Sequence, residues 1–151
     1  MFSFIKYQRY AQEIYESVPF IIDSQAPVFS KLLPGVVNPH YRINQSKANY
    51  YHAYCVMANN FTVLLWRRFF KVMRQQFNIS QEHLTPYLKQ TLDNISHFPD
   101  QALTGPIMRK YIIILEKNLS ALMQEKDSYQ DIYKALIEAN LNNNGDEHED
   151  Y

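Results

Sequence analysis

Residues 46–77 read SKANYYHAYCVMANNFTVLLWRRFFKVMRQQF, and this stretch decides the fold. No glycine or proline occurs from Gln45 to Thr85. Tyr51, Tyr54, Cys55, Ala58, Phe61, Leu65, Phe69, Val72, Met73 and Phe77 recur at spacings of three and four, the period of an α-helix with one buried face. The pattern predicts one helix from about Ser46 to Phe77, about 45 Å long at 1.5 Å per residue. A helix of that length outruns what a small domain needs, so it should pack on something besides its own chain.

Working outward, Asn78 suits a helix stop and Ser80 an N-cap. A second helix should run to about Ser96, kinked by Pro86, and residues 97–103 should be a loop. Thr104-Gly105-Pro106 opens a third helix with Ile107, Tyr111, Ile112, Leu115, Leu119, Leu122 and Met123 on its buried face. Asp127 caps a fourth, whose apolar face is Tyr129, Ile132, Tyr133, Leu136 and Ile137. On the N-terminal side, Val18-Pro19-Phe20-Ile21-Ile22-Asp23 reads as a strand, and Pro27 to Leu33 as a brief helix stopped by Pro34-Gly35. His40-Tyr41-Arg42-Ile43 completes a β-α-β fragment too small to stand alone. Residues 1–17 read as a polar lead-in, and there is no internal repeat. The fold class is mainly α: a helical bundle around one long helix, with a small β-α-β remnant at the N-terminus.

The 151 residues suffice for one domain with a real core. Twelve tyrosines and nine phenylalanines suit both cores and half-wet interfaces. Net charge is zero, but Asp146, Glu147, Glu149 and Asp150 gather four of the fifteen acids at one end. The remaining +4 is too small to argue for nucleic acid. A lone cysteine, Cys55, excludes an intrachain disulfide and makes a reducing cytoplasm the expected compartment. Lys6 and Arg9 interrupt any signal-peptide core, and no apolar run approaches the roughly 20 residues that span a bilayer.

The chemistry begins with an absence. Gly35, Gly105 and Gly145 are the only glycines, so neither GxGxxG nor GxxxxGK[ST] can be written in this chain. A dinucleotide pyrophosphate needs closely approaching backbone at a strand-to-helix turn, which glycine supplies. The chain should hold no nucleotide-binding site of its own. His40, His52, His83, His97 and His148 are scattered, with no pair in helical register beside a carboxylate, which argues against metal. No GxSxG elbow is present. Arg67, Lys71 and Arg74 share one face of the long helix, with Arg68 beside it. They could form an anion patch; with no aromatic side chain interleaved on that face, a solvated basic face is the expected reading.

Three segments, in order, carry a family resemblance: Tyr51-His52-Ala53-Tyr54-Cys55-Val56-Met57-Ala58-Asn59-Asn60-Phe61, then Thr91-Leu92-Asp93-Asn94, then Ala102-Leu103-Thr104-Gly105-Pro106-Ile107-Met108-Arg109. Together they resemble the C-terminal module, of unknown function, of Rossmann-like NAD(P)-dependent oxidoreductases. That module is similar to the helical C-terminal domain of 6-phosphogluconate dehydrogenase. The resemblance covers about residues 18–140. It implies that NAD(P) binds an N-terminal Rossmann domain, while the helical module completes the cleft and pairs two subunits through its long helix. It further implies that residues 1–45 are the end of a Rossmann domain, 46–141 the dimerisation and substrate-side domain, and 142–151 a disordered acidic tail. NAD(P) is then expected only with a separate Rossmann domain as partner, and neither nucleic acid nor membrane is expected.

Within the resemblance, His52 and Asn60 are the candidate catalytic pair. His52 is a residue type suited to general acid or base work, or it is a bundle histidine held by hydrogen bonds. Asn60 orients a substrate oxygen or satisfies buried backbone. The related β-hydroxyacid dehydrogenases carry a lysine one turn before the asparagine; here that slot is Val56, which puts hydroxyacid chemistry in doubt. Asn94, Thr104 and Arg109 are the candidate substrate-binding residues, the last two placed where a helix N-terminus favours an anion. Thr104 is equally an N-cap, and the family's usual Gly-Asp after this arginine is Lys110-Tyr111 here. Cys55 reads as a small core residue. Two functions remain: an oxidoreductase module inactive without its Rossmann partner, or a non-catalytic helical homodimer. The reading frame upstream of Met1 discriminates between them.

Overall fold

Phe20–Asp23 (β1) and His40–Ile43 (β2) pair in parallel, Phe20 opposite His40 and Asp23 opposite Ile43. A parallel pair needs a crossover. It is supplied by the single turn Phe29–Leu32 (α2), whose Phe29 is buried, its ring stacked 4.2 Å from His40 and 5.5 Å from Phe20. The computed structural model describes residues 4–124 and 127–143, without the side chains of 141–143. It is mostly helical, with this two-stranded sheet.

Two units form, Met1–Gln81 and Glu82–Tyr151. The strands and the start of the long helix share one groove and fall in the first unit. Ahead of β1, residues read from sequence as a lead-in form a short helix, Gln12–Ser17 (α1). Its end is fixed by Asn38, whose Nδ2 donates to the carbonyls of Tyr15 (2.6 Å) and Val18 (3.0 Å). Arg42 of β2 closes the turn after β1: Nη1 donates to the carbonyls of Asp23 (3.3 Å), Ser24 (3.1 Å) and Ala26 (2.8 Å), and Nη2 to that of Pro27 (2.9 Å).

Helical backbone then runs unbroken from Gln45 to Phe77, as the periodicity requires, but not as one α-helix. A 3-10 turn, Gln45–Lys47, is started by Asn44, whose side chain accepts from the Ser46 N–H at 2.9 Å. Ala48–Val56 (α3) is α-helical, Met57–Phe61 is a π-helical turn, and Thr62–Phe77 (α4) is α-helical again. Asn78 ends it in the left-handed conformation (φ 55°), with the Ile79 N–H donating to the Met73 carbonyl at 3.0 Å. Trp66, Phe69 and Phe70 form an aromatic cluster on α4, centroids 5.4 to 5.9 Å apart.

The second unit holds Gln81–His97 (α5), with Pro86 inside it, a 3-10 turn at Pro99–Gln101, and three more helices. Gly105–Met108 (α6) and Ile112–Leu122 (α7) replace the single third helix expected from Thr104 to Met123. The break is a left-handed Lys110 (φ 52°): its N–H donates to the Ile107 carbonyl and the Tyr111 N–H to that of Pro106. That pair of bonds closes a helix C-terminus. Tyr129–Asn143 (α8) follows, begun by Asp127, whose Oδ1 accepts from the Tyr129 N–H at 3.1 Å. Leu115 is buried here, and Asn118 Nδ2 donates to the Tyr133 hydroxyl at 3.2 Å. The expected disordered tail lies outside the described residues apart from Asn142 and Asn143, whose backbone belongs to α8. Among the described residues, no helix is long and apolar enough to cross a membrane.

Candidate functional site

A groove of about 300 Å³ opens at the carboxyl ends of the two parallel strands. Ile21, Ile22 and Asp23 of β1 and Ile43 of β2 form one wall; Gln45, Ala48, Tyr51 and His52 form the other. The cause is local. The chain leaves β2 and turns at Asn44 directly into helix, so the first turn and a half of helix must pass over the strand ends. Ala48 is the small residue that permits this approach. In parallel α/β arrangements, ligands bind outside the carboxyl ends of the strands.

His52 therefore lines the groove and is exposed. Its imidazole has no hydrogen-bond partner among the described residues. Asp23 puts a half-buried carboxylate on the opposite wall, one oxygen of which accepts from the Gln25 N–H at 2.7 Å. Asn60 is also exposed, and its Oδ1 accepts from Asn59 Nδ2 at 3.0 Å. It sits in the π turn, a feature found disproportionately at functional positions. In a pure α-helix His52 and Asn60 would be offset by about 80° at 100° per residue. A π turn holds more residues per revolution, so each advances by less than 100° and the offset shrinks.

Sequence reasoning missed Tyr51, Asp23 and Gln45 as groove residues. Asp23 was legible only as a strand stop, and Tyr51 only as one more apolar residue of the helix face. Tyr51 does more: its hydroxyl hydrogen-bonds Cys55, which holds the thiol below its ordinary range and pushes the Tyr51 hydroxyl above its own. Cys55 is half-buried, between core and surface.

Asn94, Thr104 and Arg109 belong to the second unit. Asn94 is half-buried on α5, its Oδ1 accepting from Gln90 Nε2 at 2.8 Å and its carbonyl from the Phe98 N–H at 2.8 Å. Thr104 is exposed and stands at the N-cap position of α6, but its side chain makes no capping bond. Arg109 is exposed at the other end of that helix. Because α6 is four residues long, it has too few aligned peptides for an appreciable dipole at Thr104.

The residues present do not fit a dinucleotide. The β1-to-α2 turn is Ser24-Gln25-Ala26-Pro27-Val28, without the glycine that lets backbone approach a pyrophosphate closely. Gly35 and Gly105, both at positive φ, serve turns elsewhere. Among the described residues, no three histidine, cysteine or acidic side chains cluster as metal ligands would. What the groove offers is an imidazole and a carboxylate among apolar side chains. Such a pair can move a proton on a bound small molecule.

Comparison with known proteins bears on the fold. A family model described as "Domain of unknown function (DUF2520)" matches residues 18–140. No curated protein matches the chain. The crystal structure of a candidate NADP oxidoreductase from Bacteroides fragilis is similar, with a TM-score of 0.72 and 19% identity. The match covers 92% of this chain and 54% of that one, so the chain spans about half the length of its structural relative. At that identity the likeness is one of fold.

Proposed function

The chain belongs to the DUF2520 family, and on that premise we propose that it is the C-terminal, substrate-side and dimerisation module of an NAD(P)-dependent oxidoreductase. The nucleotide-binding half is supplied from outside these residues, and the module is inactive alone. Residues 1–45 close that cofactor domain, residues 46–141 shape the substrate side, and the helical part is of the 6-phosphogluconate dehydrogenase C-terminal type. The working compartment is the cytoplasm. The observation that carries this reading is His52 in a groove at the carboxyl ends of a parallel strand pair, where an α/β enzyme places its ligand. The fold likeness to an oxidoreductase supports it.

In this reading His52 takes or gives the proton that accompanies oxidation or reduction of the substrate, and Asn60 holds the reacting oxygen. Asn94, Thr104 and Arg109 are assigned to substrate binding. No step is assigned to the cofactor. The test is a calorimetric titration of the chain with NADH and NADPH, then with substrate turnover restored by a Rossmann domain added in trans. The expected result is no micromolar binding of either nucleotide alone. A dissociation constant in the micromolar range would overturn the division of labour. The competing reading is a non-catalytic homodimeric scaffold, favoured by the many large apolar side chains left exposed on one chain. It predicts that a Rossmann domain added in trans restores no activity.

A further inference from the structure

The basic face of α4 is not a plain solvated face. Arg67, Lys71 and Arg74 line a groove of about 230 Å³ together with Phe70 and Gln81. At 100° per residue the three cations lie within an arc of about 60°, and they span about 10 Å along the axis. The aromatic partner that sequence periodicity placed off this face is present: Phe70 is half-buried, braced by Trp66 at 5.7 Å and Phe69 at 5.9 Å.

The electrostatic setting is one-sided. Residues 24–81 contain seven lysines and arginines and no aspartate or glutamate. The whole first unit carries nine basic side chains against three acidic ones, and the second unit six against twelve. Among the described residues, Arg67, Lys71 and Arg74 have neither an ion pair nor a hydrogen bond. Three like charges at helical spacings of four, three and seven repel one another, and no carboxylate among the described residues pairs with them. A site of this kind is completed by an anion.

We propose that Arg67, Lys71, Arg74, Phe70 and Gln81 form a binding site for the diphosphate group of a small molecule, distinct from the His52 groove. A terminal diphosphate carries about 3 negative charges near neutrality, one on the inner phosphoryl group and about 1.5 to 2 on the outer, so it matches three cations where a single phosphoryl group does not. Two arginines supply planar forks for the phosphoryl oxygens, the lysine a point charge. The Phe70 ring gives an apolar floor against which the group attached to the diphosphate lies. A nucleic-acid strand is disfavoured because the cations extend over two helical turns only and one aromatic ring is offered.

The test is calorimetric titration of the full chain with inorganic pyrophosphate at low salt, with orthophosphate and a twenty-nucleotide single-stranded DNA in parallel. Pyrophosphate should bind with a submillimolar dissociation constant and orthophosphate about tenfold more weakly, the loss of roughly one charge-assisted contact. Arg67→Gln and Arg74→Gln keep the aliphatic stems and should each weaken pyrophosphate about tenfold. Lys6→Gln, away from the groove, should leave it unchanged. Amide shifts of the wild-type chain on adding pyrophosphate should centre on residues 67–81, a readout that needs no variant. Absence of pyrophosphate binding at millimolar concentration overturns the proposal, as do shifts centred elsewhere. It is equally overturned if the DNA binds and pyrophosphate does not displace it.

Discussion

Arg42 shows how one side chain can hold a local fold. Its guanidinium donates to four backbone carbonyls between Asp23 and Pro27, so the β1-to-α2 turn is tied to β2 by charge-assisted bonds. Arg42→Ala should cost about 2 kcal/mol in urea denaturation, limited by solvent exposure. Arg42→Lys should recover little, because an ammonium cannot span four acceptors. Cys55 gives a second test. The Tyr51 hydroxyl stabilises the thiolate, so alkylation should reach half its maximal rate at a pH below that of an ordinary thiol. Tyr51→Phe removes the donor and should move that midpoint to higher pH. Neither role was legible beforehand. Arginine in a strand and cysteine in a helix carry no local signature of the partners that tertiary structure brings them.

Among the elements, the clearest departure from pattern is the break between α6 and α7. Ile112, Ile113, Ile114 and Leu115 continue an apolar run that periodicity extends back to Gly105, and lysine gives no warning of left-handed backbone. Yet Lys110 stands at φ 52°, the position after a helix end where glycine is favoured. Lys110→Gly should therefore stabilise the chain by up to about 1 kcal/mol, read as a raised urea midpoint at constant slope. A fall in stability would mean that the lysine side chain makes a contact that outweighs its backbone strain. α1 was missed for another reason: its N-cap is Ala11, which makes no capping bond, and six residues are too few to show periodicity. The elements that were legible (β1, β2, the run from Gln45 to Phe77, the stop at Asn78) owe it to strong local signals. These are β-branched clusters, absence of glycine and proline, and an asparagine that tolerates the left-handed region.

For the whole molecule, the question is what covers its apolar surface. Among the described residues, Phe29 and Leu115 are the buried hydrophobic side chains, while Phe61, Val63, Leu64 and Leu65 on the long helix and Ile112, Ile113 and Ile114 on α7 are each at least 40% exposed. Exposed surface of that kind is covered by association, and a twofold interface lets one patch cover its copy. Light scattering at micromolar concentration should give about 36 kDa, twice the 18.0 kDa of one chain. Val63→Glu with Leu64→Glu should shift it toward monomer. A monomer in the unmodified chain would mean that a cofactor domain covers these faces instead. Composition and spacing made the helical class and the absence of a glycine-rich turn readable. They could not show that the strand ends and His52 share a groove, because that depends on where Asn44 turns the chain.

The π turn at Met57–Phe61 has a consequence for anyone lining this helix up with a purely α-helical relative. A π turn is an extra residue absorbed without breaking the rod, so a gap-free alignment across it is out of register on one side by up to one position. The residue stacked beneath Asn60 is Val56 only if turns are counted in fours. With the wider turn it moves toward Cys55, the thiol that the Tyr51 hydroxyl hydrogen-bonds. The place where a relative's lysine would be sought is thus shared between Val56 and Cys55. A one-residue gap opened within Met57–Phe61 is the alignment that respects the geometry.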